Sequence, residues 1–252
     1  MSELNFLDTG GNKQKISTPA VNSMAFNTAN TERVRIDSNG DITVGAGGDL
    51  KMSSTGRIFL GDGGNATDPM FANISDTNTG LFYPSADQLA FTTGGSERLR
   101  INNYGLVTRP FQYHLHADRS GTLTGYDAGG SFGTPMVFNR IVSETKDSSL
   151  SSCFNTSNGL FTAPVTGVYL FNAAVYSGSG NIFGQSWFTL NGSRCTATDW
   201  VINSGYAFIQ NFQQIRLAAG NTVGFHPYAS GQNNVSIYEN NNHTYFKVSL
   251  IG

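Results

Sequence analysis

Three short patterns in this 252-residue chain hold residue types that do chemistry. Gly129-Gly130-Ser131-Phe132-Gly133 has the Gly-x-Ser-x-Gly spacing of a nucleophile elbow, which lifts a serine on a turn between a strand and a helix. Tyr126-Asp127-Ala128 before it and Thr134-Pro135 after it read as loop, so no catalysis is expected at Ser131. His114-Leu115-His116 puts two imidazoles on one side of a strand. If three copies meet on an axis, such pairs present six nitrogens, a set suited to an octahedral transition metal. Alone they are two polar positions on an edge strand. Gly61-Asp62-Gly63-Gly64-Asn65 with Asp68 offers oxygen ligands of the kind calcium takes. The same residues make an ordinary turn, which is the expected reading. None of these patterns requires a cofactor.

Glycoside cleavage needs two carboxylates facing each other across a groove. The acids of the second half (Asp118, Asp127, Glu144, Asp147, Asp199, Glu239) show no such pairing, and no enzyme is expected. Binding without cleavage asks for less. An exposed ring stacks on a sugar face while nearby amides take its hydroxyls. The candidates are Tyr126, Trp200, Asn203, Tyr206, Tyr228, Gln232, Asn233 and Tyr238.

Composition bounds the scaffold for these residues. Charged residues are 13% of the chain and the net charge is −2, so there is no basic field to hold nucleic acid. No apolar run is long enough to span a membrane, and the N-terminus lacks the pattern of a secretory signal. Thirty glycines, many beside Asn, Thr or Ser, suit short strands joined by tight turns. Cys153 and Cys195 read as reduced, semi-buried thiols.

The chain divides at Arg109-Pro110. The first half is poor in aromatics and repeats itself. Ala25-Phe26-Asn27-Thr28, Glu32-Arg33-Val34-Arg35-Ile36-Asp37 and Gly40 recur, 65 positions on, as Ala90-Phe91-Thr92-Thr93, Glu97-Arg98-Leu99-Arg100-Ile101-Asn102 and Gly105. The repeat (25–40 and 90–105) alternates apolar and charged residues, as strands do. Further short strands are expected at 42–45, 49–52 and 57–61. Each has too few apolar side chains for a core of its own, so several chains are expected to pool them. The second half has longer strands, with an Asn191-Gly192 hairpin turn and a final strand through Phe246, Val248 and Leu250. Val168 to Tyr176 is apolar on both faces. One face should meet its own core and the other a second copy, with Tyr169, Phe171, Val175 and Phe246 as interface candidates.

Two resemblances sharpen this reading. Phe154, Phe161, Pro164, Gly167, Tyr169 and Phe171, with Ile215-Arg216-Leu217, Gly220, Val223 and the last strand, resemble the complement C1q-like domain of the tumour-necrosis-factor superfamily. Residues 110–252 are then expected to form a ten-stranded jelly roll that assembles as a homotrimer. This sequence departs from the pattern by an added loop near Asp147-Ser148-Ser149. Thr79-Gly80-Leu81-Phe82-Tyr83-Pro84, Asp87-Gln88-Leu89-Ala90-Phe91 and Gly48-Asp49-Leu50 resemble phrases of phage tail-fibre stems, including those of cyanobacterial viruses.

The expected whole is all-β: a virion-attachment segment at 1–20, a trimeric glycine-punctuated β-stem at 21–109, and a C1q-like tip at 110–252. Its expected function is that of a phage tail fibre, built in the host cytoplasm and carried on the virion. The N-terminus would join another tail or baseplate protein, and the tip would attach to host surface polysaccharide. The alternative is a structural virion component, such as a collar, decoration or connector, without receptor binding.

Overall fold

A computed structural model describes residues 3–7, 13–18, 22–29, 31–45, 48–49, 64–129, 134–147, 149–178, 182–202, 206–232, 234–239 and 243–252. The described residues are strands, turns and loops with no helix. Residues 50–52 of the strand expected at 49–52, the whole strand expected at 57–61, and the elbow-like Gly130 to Gly133 lie outside the described residues. The chain forms two compact units, Met1–Asp62 and Gly63–Gly252. The 109/110 boundary therefore falls inside the second unit.

The first unit is a five-stranded antiparallel meander: β1 (Glu3–Leu7), β2 (Lys13–Ser17), β3 (Met24–Thr28), β4 (Thr31–Ile36) and β5 (Ile42–Val44). Half of the segment set apart for attachment is thus its first two strands. The second unit opens with the same design: β6 (Phe71–Asn73), β7 (Asp76–Phe82), β8 (Leu89–Thr93), β9 (Ser96–Ile101) and β10 (Val107–Thr108). The repeat reaches individual hydrogen bonds. Arg33 Nε donates to Thr28 Oγ1 at 2.9 Å, and Arg98 Nε to Thr93 Oγ1 at 3.0 Å. Arg35 Nε donates to Glu32 Oε1 at 2.8 Å, as Arg100 Nε does to Glu97 Oε1. The carboxylate of Asp37 and the amide oxygen of Asn102 each accept two backbone N–H groups and close the same turn.

Cross-strand register stacks Leu4, Ile16, Phe26, Val34 and Val44 into one row across the first sheet. Met24, Ile36 and Ile42 make the next row. Phe71, Leu81, Phe91 and Leu99, then Leu89, Ile101 and Val107, repeat this in the second sheet. These faces are apolar and open: Phe26 is 40% exposed, Ile42 69%, Phe71 50% and Phe91 43%. On the opposite faces Ala25 and Ala90 are fully buried.

The rest of the second unit is a two-sheet antiparallel sandwich. Its strands are β11 (His114–Asp118), β12 (Leu123–Tyr126), β13 (Arg140–Thr145), β14 (Phe154–Asn155), β15 (Leu160–Thr162), β16 (Gly167–Gly178), β17 (Ile182–Leu190), β18 (Ser193–Arg194), β19 (Thr198–Ile202), β20 (Tyr206–Leu217), β21 (Thr222–Ala229), β22 (Val235–Ile237) and β23 (Tyr245–Leu250). One sheet runs β13-β11-β23-β16-β20, with β22 and β12 continuing from the far end of β16. The other runs β14-β15-β21-β17, with β19 and β18 on β17. Among the eight main strands, the orders β11-β23-β16-β20 and β15-β21-β17-β19 are those of a jelly roll. Asn191 and Gly192 both have positive φ, 49° and 80°, as the expected hairpin turn requires.

Between the sheets lies a cluster of rings. Phe171 packs on Phe161, Phe188 and Phe246 with centroids 5.4–6.0 Å apart, and Phe188 reaches Phe225 at 5.4 Å. Tyr169 joins them while its hydroxyl donates to the Val165 carbonyl at 2.7 Å, so the buried oxygen is satisfied. Gly159, at φ 71°, lies so close to Met136 that a Cβ would sit 2.3 Å from its carbonyl oxygen.

This corrects the interface assignment. Tyr169, Phe171, Val175 and Phe246 are all fully buried in the chain's own core. The face of β16 that points away from it carries Val168, Leu170 and Asn172. The same face of the neighbouring β20 presents Phe208, 48% exposed, and Phe212, 58% exposed. The cysteine expectation also changes in part. Both thiols are free and Cys153 is half-buried, but Cys195 is exposed overall.

Candidate functional site

The sandwich holds a pocket of about 440 Å³ on the face of β17 and β21 that points away from the core. Strand alternation builds its floor. Phe188 and Phe225 face inward, so their neighbours Trp187 and His226 face outward, paired across the strands. Their rings are nearly parallel, 6.2 Å apart, and Tyr228 approaches Trp187 at 5.2 Å. Arg194 covers the Trp187 ring at 4.6 Å. Residues 119–128 and 134–137 make the wall. It is tied to β21 by hydrogen bonds from Met136 N to the Phe225 carbonyl and from Ala229 N to the Ala128 carbonyl, each 2.8 Å.

The wall carries Arg119, Leu123, Tyr126 and Asp127. Arg119 is held by two backbone carbonyls, those of Gly121 at 3.1 Å and Val137 at 3.2 Å. Its loop is clamped by Asn139, which bonds the Ser120 N–H at 2.7 Å and the Ser120 carbonyl at 3.0 Å. Burial lowers the guanidinium pKa. Tyr126 donates its hydroxyl to the Pro227 carbonyl at 3.4 Å, and burial pushes its pKa up. His226 shares Nε2 with Thr189 Oγ1 at 3.2 Å, and burial lowers its pKa to about 4. The pocket thus offers aromatic walls, a neutral imidazole, one cation and one carboxylate.

Of the sugar-binding candidates, the structure brings Tyr126 and Tyr228 together here. Tyr238 packs instead on Tyr176, 5.9 Å away. The Gln232 backbone N–H donates to the Ala229 carbonyl at 3.1 Å, in the turn after β21. Trp200 is in β19 and Tyr206 opens β20, while Asn203 and Asn233 lie outside the described residues. Sequence reasoning missed Arg119, Trp187 and His226 as pocket residues. The spacing His226-x-Tyr228 on one strand was the available signal, since it puts both rings on one face.

His114 and His116 share a face of β11, as their spacing requires. His114 Nδ1 lies 3.1 Å from Ser249 Oγ. His116 Nε2 is buried without a hydrogen-bond partner. Burial, then Lys247 directly across the strand pair, lowers the His116 pKa. In the calcium candidate, residues 61–63 lie outside the described residues. The remainder is an asparagine-capped turn: Asn65 Oδ1 accepts from the Thr67 and Asp68 N–H groups at 2.8 and 3.0 Å. Asp147, in the added loop, reaches Arg98 Nη1 at 2.6 Å, and Arg98 holds its carboxyl well below the usual carboxylate range. Arg98 also lies 4.9 Å over the Phe111 ring, which joins the second meander to the sandwich.

No protein-family model matches the chain, and no curated protein matches it. Solved structures do. The globular domain of zebrafish complement 1qA is 18% identical and covers 56% of this chain and 98% of its own, with a TM-score of 0.39. Murine APRIL is 11% identical, covering 56% and 99%, with a TM-score of 0.41. Eiger TNF from S. frugiperda is 14% identical, covering 57% and 94%, with a TM-score of 0.42. The jelly-roll assignment rests on strand order and register.

Proposed function

We propose that this chain is a homotrimeric, non-catalytic phage tail fibre whose C-terminal jelly roll attaches to host surface polysaccharide. The observation that carries the reading is the repeated open apolar face. Two meanders, 65 residues apart in sequence, each present a wholly apolar row that nothing in its own sheet covers. Such surfaces are costly in water and are normally covered by a partner. Copies of the same chain supply that cover without a second gene product. The jelly roll adds Phe208 and Phe212 on its own open face. The threefold number and the virion setting come from the sequence resemblances. The pocket on the other sheet supports a binding role, and three copies of a weak site give avidity.

The rival is a structural virion component. Incubating purified protein with host envelope polysaccharide separates the readings. Retention with the polysaccharide chain length unchanged is expected. Shortened polysaccharide would mark a depolymerase, and absence of both retention and cleavage would favour the structural role.

A further inference from the structure

The geometry points to the Trp187–His226–Tyr228 pocket as a seat for one carboxylated pyranose, a uronic acid residue, with Arg119 receiving the carboxylate. The inference rests on the attachment reading and names the ligand class of its site. Arg119 carries the argument. Its Nε–H and one Nη1–H are given to carbonyls and its loop is clamped by Asn139, so the guanidinium is held in place before any ligand arrives, with its other N–H groups left to form a fork. Among the described residues it has no ion pair. A fixed, partly buried cation without a counter-charge is unfavourable unless a ligand supplies one. Lowering of its pKa by burial alone agrees with that.

The remaining lining suits a sugar ring. Leu123, Val137 and Pro135 offer apolar contact, and Tyr126 and Tyr228 add ring faces and hydroxyls. Asp127 stands in the same pocket, with Oδ1 already accepting the Gly129 N–H at 3.1 Å. A carboxylate there accepts from sugar hydroxyls and repels a ligand anion. A uronate is therefore oriented, with its acid toward Arg119 and its hydroxyls toward Asp127. The volume suits a ligand of this size.

The test is calorimetric titration of the full chain with glucuronate, galacturonate, glucose and inorganic phosphate. At least one uronate should bind about tenfold more tightly than glucose, a preference that shrinks as salt is added. Arg119→Gln should abolish the preference for uronate over glucose. Arg119→Lys, which keeps charge but loses the fork, should retain part of it. Equal affinity for both sugar types, no binding of any sugar, phosphate binding as tightly as the uronates, or a preference that survives Arg119→Gln would each overturn the inference. If Arg119→Gln does not fold, salt dependence of the wild-type preference decides. Retention of host polysaccharide without uronate binding would overturn this inference and leave attachment standing. Uronate binding without polysaccharide retention would do the reverse.

Discussion

His226 shows how one residue ties pocket to stability. It is 5% exposed and holds a neutral imidazole between Trp187 and Thr189. Its folded pKa, about 4, is below the ordinary 6.5. Above pH 6.5 the ring is neutral in both states and contributes no pH dependence. Below it the unfolded chain takes a proton that the folded chain refuses, so stability falls as pH drops toward 4. The loss approaches about 3 kcal/mol if this group acts alone. His116 adds in the same direction. Denaturant midpoints from pH 7.5 to 4 should fall for the wild type and less steeply for His226→Gln. Matching slopes would contradict this assignment. The pocket itself was hard to read from sequence. Arg119, Tyr126, Trp187 and His226 meet only through antiparallel pairing and a tethered loop, neither of which local spacing encodes.

At the level of elements, β16 shows where sequence stops. Both faces of Val168 to Tyr176 are apolar, so alternation located the strand without saying which face is inside. Two polar details decide it. Asn172 shares the outward set with Val168 and Leu170, and the Tyr169 hydroxyl reaches Val165 from the inward set. Two substitutions test the corrected facing. Phe171→Ala should destabilise the sandwich itself by about 3–5 kcal/mol, through the cavity it leaves. Phe212→Glu should leave the fold intact and weaken self-association. The opposite pattern would restore the original interface. The added loop has a readable purpose only in three dimensions, where Asp147 meets Arg98 beside Phe111. Arg98→Ala should speed proteolysis between Thr108 and Tyr113. An unchanged cleavage rate would mean that this contact does not hold the second meander.

Over the whole molecule, the repeat was the most legible feature, because identities in constant register survive into identical turns and Glu–Arg pairs. The division into units was less so. The change in composition at 109/110 marks where aromatics become frequent, whereas the second compact unit starts at Gly63. Phe26→Asp and Phe91→Asp, at matched positions on the two open faces, should each weaken self-association at unchanged secondary structure, as read by sedimentation and circular dichroism. Full association in both variants would remove the meanders from the interface. The account depends most on the apolar rows finding cover in other copies of the chain. Multi-angle light scattering of the 252-residue chain at micromolar concentration tests this most directly. The account predicts a mass three times that of the 27.0 kDa chain. A stable species at the single-chain mass would contradict it.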